Sequence, residues 1–184
     1  MRSLRHVFAA ALLCAASAMP AAAPRAQEAT AVAEAFAKLV FDGCMPHMKA
    51  HASLAAFAKT VGLEVVPPTL ANSFLRTQPG IGYLRVDAKY PMLIFGAADG
   101  SCRVYARFVP DLEVLADGVK QQMINAKNGF TDSGVSTDIE GPTSLTTTHT
   151  YKGKFGQETF SAVLTTTPAR NTAAQVSFII APLN

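Results

Sequence analysis

The sequence predicts an α+β fold: a mostly antiparallel sheet of about five to six strands with about three helices packed on one side. Three observations lead to this prediction. Apolar residues recur at helical spacing over residues 32–44. Two β-rich segments flank an Asp-Gly pair in the middle of the chain, and the last third alternates apolar and polar residues. Because no repeat or long linker divides residues 27–184, we expect them to form a single domain.

Residues 1–26 have the three-part pattern of a secretory signal peptide. Arg2 and Arg5 form a basic start, residues 7–19 are uncharged and mostly apolar, and small alanines surround the expected cleavage point between residues 23 and 29. The apolar run is shorter than the roughly 20 residues that a membrane-spanning helix needs. We therefore expect a periplasmic or secreted protein with no transmembrane anchor after signal removal.

The charge balance after signal removal does not favour a nucleic-acid partner. The chain has 16 Lys and Arg against 13 Asp and Glu, but residues 1–26 hold three Arg and no acid. The remainder is 16 − 3 = 13 basic against 13 acidic side chains, and the basic ones are scattered singly. Nucleic-acid-binding surfaces need clustered positive charge. We expect instead an unknown protein or small-molecule partner.

Two helices are predicted before residue 63. The apolar stripe Val32, Phe36, Leu39, Val40 and Cys44 forms one face of the first helix, which we expect to stop or kink at Pro46 because proline lacks an N–H. Ser53 is expected to cap a short second helix that Gly62 ends. Pro67-Pro68 then predicts an extended connection.

The middle of the chain predicts a hairpin and a third helix. After a short strand at 83–86, segments 92–97 and 102–108 are rich in β-formers, and Asp99-Gly100 lies between them. Asp111 is expected to cap a helix that buries Leu112, Leu115, Val119 and Met123 and ends at Asn128-Gly129.

The C-terminal third predicts an antiparallel meander. A polar, turn-rich stretch at 131–142 precedes three alternating segments at about 144–151, 157–166 and 174–181. We expect Lys152-Gly153 and residues 168–171 to join them. Their outer faces are rich in threonine, as in a sheet with one solvated side.

Cys44 and Cys102 are the only cysteines outside the signal, since Cys14 leaves with it. In an oxidising compartment such a pair predicts a disulfide. The bridge would tie the end of the first helix to the strand after Asp99-Gly100. A redox-active pair is not indicated, because there is no C-x-x-C motif.

One cluster has the chemistry of a metal site: Met45, His47, Met48 and His51. If the helix continued past Pro46, the two histidines would share one face, and thioether with imidazole suits copper, especially Cu(I). Methionines at such spacing also commonly fill cores, and a disulfide-bonded Cys44 supplies no thiolate. Copper binding is therefore the alternative interpretation, and no other cofactor is indicated.

No catalytic residue is assigned. The chain has no G-x-S-x-G, S-x-x-K, H-E-x-x-H or P-loop motif. A Ser/His/Asp arrangement can be drawn from His149 with Ser161 or Ser177 and Asp138, but any chain with many hydroxyls offers such combinations. A hydrolase is the third interpretation.

Several of these features together resemble a family. They are Phe36 and Phe41 before Cys44, an alanine-rich helix ending near Gly62, and Cys102-x-Val104 followed by a Leu-rich helix. Over about residues 30–125 they resemble a group of small exported, disulfide-containing proteins of Gram-negative, chiefly alphaproteobacterial, bacteria. The resemblance implies a periplasmic location and a disulfide, and it implies no catalytic residue. We therefore expect a non-catalytic binding or interaction module whose ligand lies on the sheet or beside the third helix.

Overall fold

The computed structural model describes residues 22–50, 53–75, 79–85, 89–125, 128–140 and 144–183. Its helical segments are α1 (Ala22–Lys38), a π-helical segment (Leu39–Cys44), α2 (Met45–Ala50), α3 (Leu54–Thr60), α4 (Pro68–Leu75) and α5 (Leu112–Met123). Its strands are β1 (Glu64–Val65), β2 (Gly80–Arg85), β3 (Met92–Ala97), β4 (Cys102–Ala106), β5 (Phe130–Glu140), β6 (Ser144–Phe155), β7 (Glu158–Thr166) and β8 (Val176–Pro182). None of these helices is long and apolar enough to cross a bilayer.

The strands form one antiparallel sheet in the order β1-β2-β3-β4-β8-β7-β6-β5. Two four-stranded meanders, β1–β4 and β5–β8, meet where β4 pairs with β8. The α+β class and the antiparallel sheet are confirmed, but the sheet has eight strands rather than five to six. The extra strands are the two-residue β1 and the polar β5, and neither carries an apolar alternation that would have indicated it.

The main core lies between one face of the sheet and the helices α1 and α5 with the π-helical segment. Alternate residues of the last two strands are buried in it: Phe160, Ala162, Leu164, Val176, Phe178 and Ile180. Three of the four α5 residues that we expected to be buried, Leu115, Val119 and Met123, also lie in it, whereas Leu112 is only partly buried. Burial of these apolar side chains makes the main contribution to the stability of the folded chain.

A second, smaller core lies on the opposite face of the sheet. Side chains alternate along a strand, so Ile94 of β3 faces the main core while Phe95 packs against Ala71 and Leu75 of α4. The prediction that the helices pack on one side was therefore wrong, because α4 covers the other face.

The first helix does not stop at Pro46. α1, the π-helical segment and α2 follow one another without a break, and the Met45 N–H donates to the Val40 carbonyl, five residues back. Pro46 has no N–H to continue the helical hydrogen bonds, and it lies two residues after the π-helical segment, next to the point where the hydrogen-bond register changes. The change of helical register falls within the π-helical segment, and it places Gly43 against the sheet: a Cβ on Gly43 would lie 2.7 Å from Ile94 Cδ1.

The predicted N-caps and the turns at Gly62 and Gly100 are confirmed, whereas α5 ends at Met123 and not at Asn128-Gly129. The Ser53 hydroxyl accepts a hydrogen bond from the Ala56 N–H at 3.3 Å. The Asp111 carboxylate accepts two, from the N–H groups of Glu113 and Val114, so both helices begin where their N-caps indicated. Gly62 and Gly100 have φ values of +69° and +78°, as expected for a helix end and a hairpin turn.

Three local predictions were wrong. Pro67-Pro68 does not open an extended connection, since Pro68 is the first residue of α4, a position that suits its fixed φ. The stretch predicted as turns at 131–142 is mostly β5, an edge strand whose described side chains after Phe130 are exposed. Lys152-Gly153 lies inside β6, and the turn to β7 comes at Gly156, where φ is +62°.

Candidate functional site

The predicted disulfide joins Cys44 to Cys102. Their Cα atoms are 5.5 Å apart, within the usual range for a bridge, and both residues are fully buried. Cys44 is the last residue of the π-helical segment, and Cys102 is the first of β4, so the bridge ties the helical run to the centre of the sheet. A sulfur held in this bridge is not available as a thiolate ligand.

Three of the four candidate copper residues lie on one helix. The continuation of the helix past Pro46 places Met45, His47 and Met48 together on α2, while His51 lies outside the described residues. Met45 and Met48 are only 2% and 6% exposed and belong to the main core. His47 is half-buried, with its ring over the sheet: Nε2 is 3.1 Å from the place that a Cβ on Gly96 would take. Among the described residues no three His, Cys, Asp or Glu side chains converge on a common point.

The hydroxyls and carboxylate proposed for a hydrolase lie across the sheet from His149. His149 pairs with Leu164 and faces the main-core side. Ser161 pairs with Lys152, Ser177 with Tyr105, and Asp138 with Thr146, all on the opposite face. Because side chains of alternate residues point to opposite faces, the sheet separates the imidazole from these three groups.

A polar cleft of about 300 Å³ lies beside α5, where we expected a groove. It is lined by Glu113 and Asp117 of α5 and by His149, whose Nδ1 is buried and has no hydrogen-bond partner among the described residues. Two residues further along β6, burial together with the charges of Asp132 and Asp117 raises the pKa of Tyr151 to about 12. The cleft combines two carboxylates with one imidazole, and those side chains alone do not define a ligand.

A second groove, which the sequence did not indicate, lies on the opposite face beside α4. Its volume is about 270 Å³, and its walls are mostly apolar. Its lining comes from α4, β2, β3, β4 and the loop before β8: Leu70, Phe74, Leu84, Pro91, Leu93, Tyr105, Ala106, Arg107 and Ala173. This groove was missed because the segment that forms α4, one wall of the groove, was expected to be an extended connection. Apolar residues in an extended connection show no periodic pattern that would indicate a buried face.

Cross-strand pairing explains why this groove is apolar. Leu84 pairs with Leu93, and Leu93 pairs with Tyr105, so three large side chains form one row across β2, β3 and β4. The same row continues onto Ser177 of β8 and Thr165 of β7. This face of the sheet is thus apolar beside α4 and carries hydroxyls further along, which agrees with the predicted threonine-rich outer face only for β6 and β7.

Aromatic contacts hold α4 in place over the row. The Phe74 ring lies 5.4 Å from the ring centre of Phe95 and 4.8 Å from that of Tyr105, distances typical of favourable aromatic pairs. Arg103 Nη1 donates a hydrogen bond to the Phe74 carbonyl at 3.3 Å, near the C-terminal end of α4, where a cation is favourable. The wall of the groove is therefore anchored, yet Phe74, Leu84, Leu93 and Tyr105 remain partly exposed.

No family model matches the chain, and no curated protein or solved structure shows significant similarity to it. Its function therefore has to be argued from the side chains of these grooves.

Proposed function

We propose that this protein is an exported binding protein that holds a small apolar ligand in the groove beside α4. The observation that carries the proposal is the row Leu84–Leu93–Tyr105, which stays partly exposed under a helix that is fastened at its C-terminal end. Small-molecule sites are typically preformed, mostly apolar concavities with a few polar groups. The groove has this character, whereas the cleft beside α5 is polar.

Export is part of the same proposal. It is supported by the signal-peptide pattern of residues 1–26 and by the disulfide between Cys44 and Cys102. Residues 24–27 of α1 are exposed, and Ala29 is the first buried residue of the described chain, so cleavage within the expected interval leaves the buried part of α1 intact. A periplasmic or secreted product that begins between residues 24 and 29 and lacks two thiol hydrogens would support it. An uncleaved chain with free thiols would contradict it.

The binding proposal can be tested with a neutral amphiphile. We expect 1-decanol, added below its solubility limit, to shift the backbone amide resonances of Leu84, Leu93 and Tyr105 saturably in ¹H–¹⁵N spectra. The amides of β5 and β6, at the far edge of the sheet, should not move. Shifts spread over both faces of the sheet, or no saturation, would contradict the proposal.

Two matched variants distinguish binding in the groove from nonspecific adsorption of 1-decanol to exposed apolar surface. Leu70 of α4 lines the groove and Val114 of α5 does not, yet both are 39% exposed. Leu70→Gln should weaken 1-decanol binding about five-fold, because about 1 kcal/mol of apolar contact is lost. Val114→Gln should leave it unchanged. Equal weakening in both variants would overturn the proposal.

Copper binding through Met45, His47, Met48 and His51 stays an alternative proposal. The continuation of the helix past Pro46 keeps it open, since Met45, His47 and Met48 all lie on α2. The burial of both thioethers in the main core weighs against it, because a metal there would have to displace apolar contacts. Its test is given with the other predictions below.

A further inference from the structure

A guanidinium group, that of Arg107, lines the groove beside α4. Arg107 follows the last residue of β4 and lines the groove together with Tyr105. The side chain is half-buried, and its Nη2 donates to the Arg170 carbonyl at 3.5 Å. Its backbone N–H donates to the Pro91 carbonyl at 3.2 Å. Backbone and side chain are thus both held beside the apolar row.

A strained neighbour also holds Arg107. Phe108 has a φ of +60°, a left-handed conformation that is unfavourable for an aromatic residue, and its ring is 42% exposed. The Arg107 Cζ lies 4.7 Å from the centre of that ring, a cation–π distance. Strained backbone persists where the surroundings enforce it, and often marks a functional position. Here it presents an aromatic face to the guanidinium.

Among the residues that the structure describes, no anionic group pairs with Arg107. Its Nε is buried without a hydrogen-bond acceptor, and no carboxylate of the described residues lies within ion-pairing distance. Arg103, on the same face, shows the contrast: it donates to the Ser101 hydroxyl and the Phe74 carbonyl and lies 3.8 Å from Asp99. A buried donor on a charged group is costly when unpaired. Arg103 has a structural role, whereas Arg107 lines the groove with no carboxylate of the described residues beside it.

We propose that the groove binds a medium-chain monocarboxylate, with the alkyl chain on the Leu84–Leu93–Tyr105 row and the carboxylate on Arg107. The guanidinium is planar and matches a carboxylate in two parallel hydrogen bonds. The groove volume of about 270 Å³ lies below the roughly 300–1,000 Å³ of sites for drug-sized ligands, which favours a medium-chain over a long-chain acid. This inference rests on the proposed function and adds the charge of the ligand to it.

The test compares decanoate with 1-decanol, which shares the chain and lacks the charge. Arg107→Gln should weaken decanoate binding about 10-fold or more, since a charge-assisted hydrogen bond is lost. It should weaken 1-decanol binding much less, by about two-fold at most, because the alcohol has no charge to pair. Arg170→Gln is the matched control: it removes a nearby positive charge while keeping the backbone carbonyl that Arg107 uses. It should change decanoate affinity less than two-fold. Calorimetry or amide shifts give both affinities.

The outcomes separate the two proposals. If 1-decanol binds and decanoate does not, or if Arg107→Gln leaves decanoate affinity unchanged, the carboxylate inference is wrong and the apolar groove stands. If neither compound binds, both proposals fail. Arg107→Lys covers the case in which the glutamine variant does not fold: it keeps the charge without the planar fork, and we expect an intermediate decanoate affinity. If the lysine variant binds decanoate with the same affinity as the wild type, the inference that two parallel hydrogen bonds hold the carboxylate is wrong.

Discussion

Reduction of the Cys44–Cys102 bridge should lower the free energy of unfolding by about 4 kcal/mol. The bridge spans 58 residues, and the loss of chain entropy that such a cross-link imposes on the unfolded chain corresponds to about 4 kcal/mol at 25 °C. Both cysteines are fully buried, so the reduced thiols keep their packing in the folded state. The effect should therefore come mainly from the unfolded chain. For a domain of this size it corresponds to a fall in Tm of about 8–16 °C.

The assay is urea unfolding of the mature chain, followed by far-ultraviolet circular dichroism with and without a phosphine reductant. The Cys44→Ala/Cys102→Ala variant is the control, because reductant should not change its stability. It should be less stable than the reduced wild type, since truncating two buried side chains removes packing as well. A reductant effect below about 1 kcal/mol would refute the entropic reasoning, as would an equal reductant effect on the control.

Three further predictions concern α5, the polar cleft and the candidate copper cluster. Gly118→Ala in α5 should raise the free energy of unfolding by about 0.5–1 kcal/mol, because a Cβ there meets open space. Gly82→Ala in β2 should lower it by about 1–3 kcal/mol, because its Cβ would lie 2.2 Å from the Phe95 ring. Urea unfolding that ranks the two variants the other way would contradict this packing. The pKa of Tyr151 is near 10 in the unfolded chain and about 12 in the folded one, so its contribution to stability is complete below pH 10 and is lost as pH rises towards 12. Tyr151→Phe should reduce that loss and, by removing a buried unpartnered hydroxyl, leave the free energy of unfolding at pH 7 unchanged or up to about 1 kcal/mol higher. A clear destabilisation of the variant at pH 7 would show that the hydroxyl is paired. If copper binds at the cluster, His47→Ala/His51→Ala should weaken Cu(I) affinity at least 10-fold in a chelator competition; unchanged affinity removes that hypothesis.

Local signals predicted the local structure well. Ser53 and Asp111 accept the backbone hydrogen bonds that their cap positions indicated, and Gly100 makes the turn between β3 and β4. The failures came where a local signal was ambiguous. Pro68 begins a helix although Pro-Pro commonly marks extended chain, and β5 pairs along its length despite a polar sequence. In both cases long-range contacts, the second core and the β6 ladder, outweighed local composition.

The candidate sites could be predicted from the sequence less well than the local structure. Spacing brought Met45, His47 and Met48 together only if the helix continued past Pro46, and it did not show that the thioethers enter the core. His149 could be combined on paper with Ser161 or Ser177, and only strand register shows that they lie on opposite faces. A shift of one residue in a strand reverses every side chain, so such combinations cannot be judged before the pairing is known.

The sequence by itself determined the disulfide partners, the helix caps and the inward faces of α5, β7 and β8. These depend on residue identity and on spacing within a single element. Only the tertiary structure decided that α4 lies on the second face of the sheet, that Leu84, Leu93 and Tyr105 form one row, and that Arg107 lines the groove beside it. Those facts depend on strand order and on which side of the sheet a connection crosses. Periodicity identifies the apolar side of an element, but it does not specify which other element covers that side.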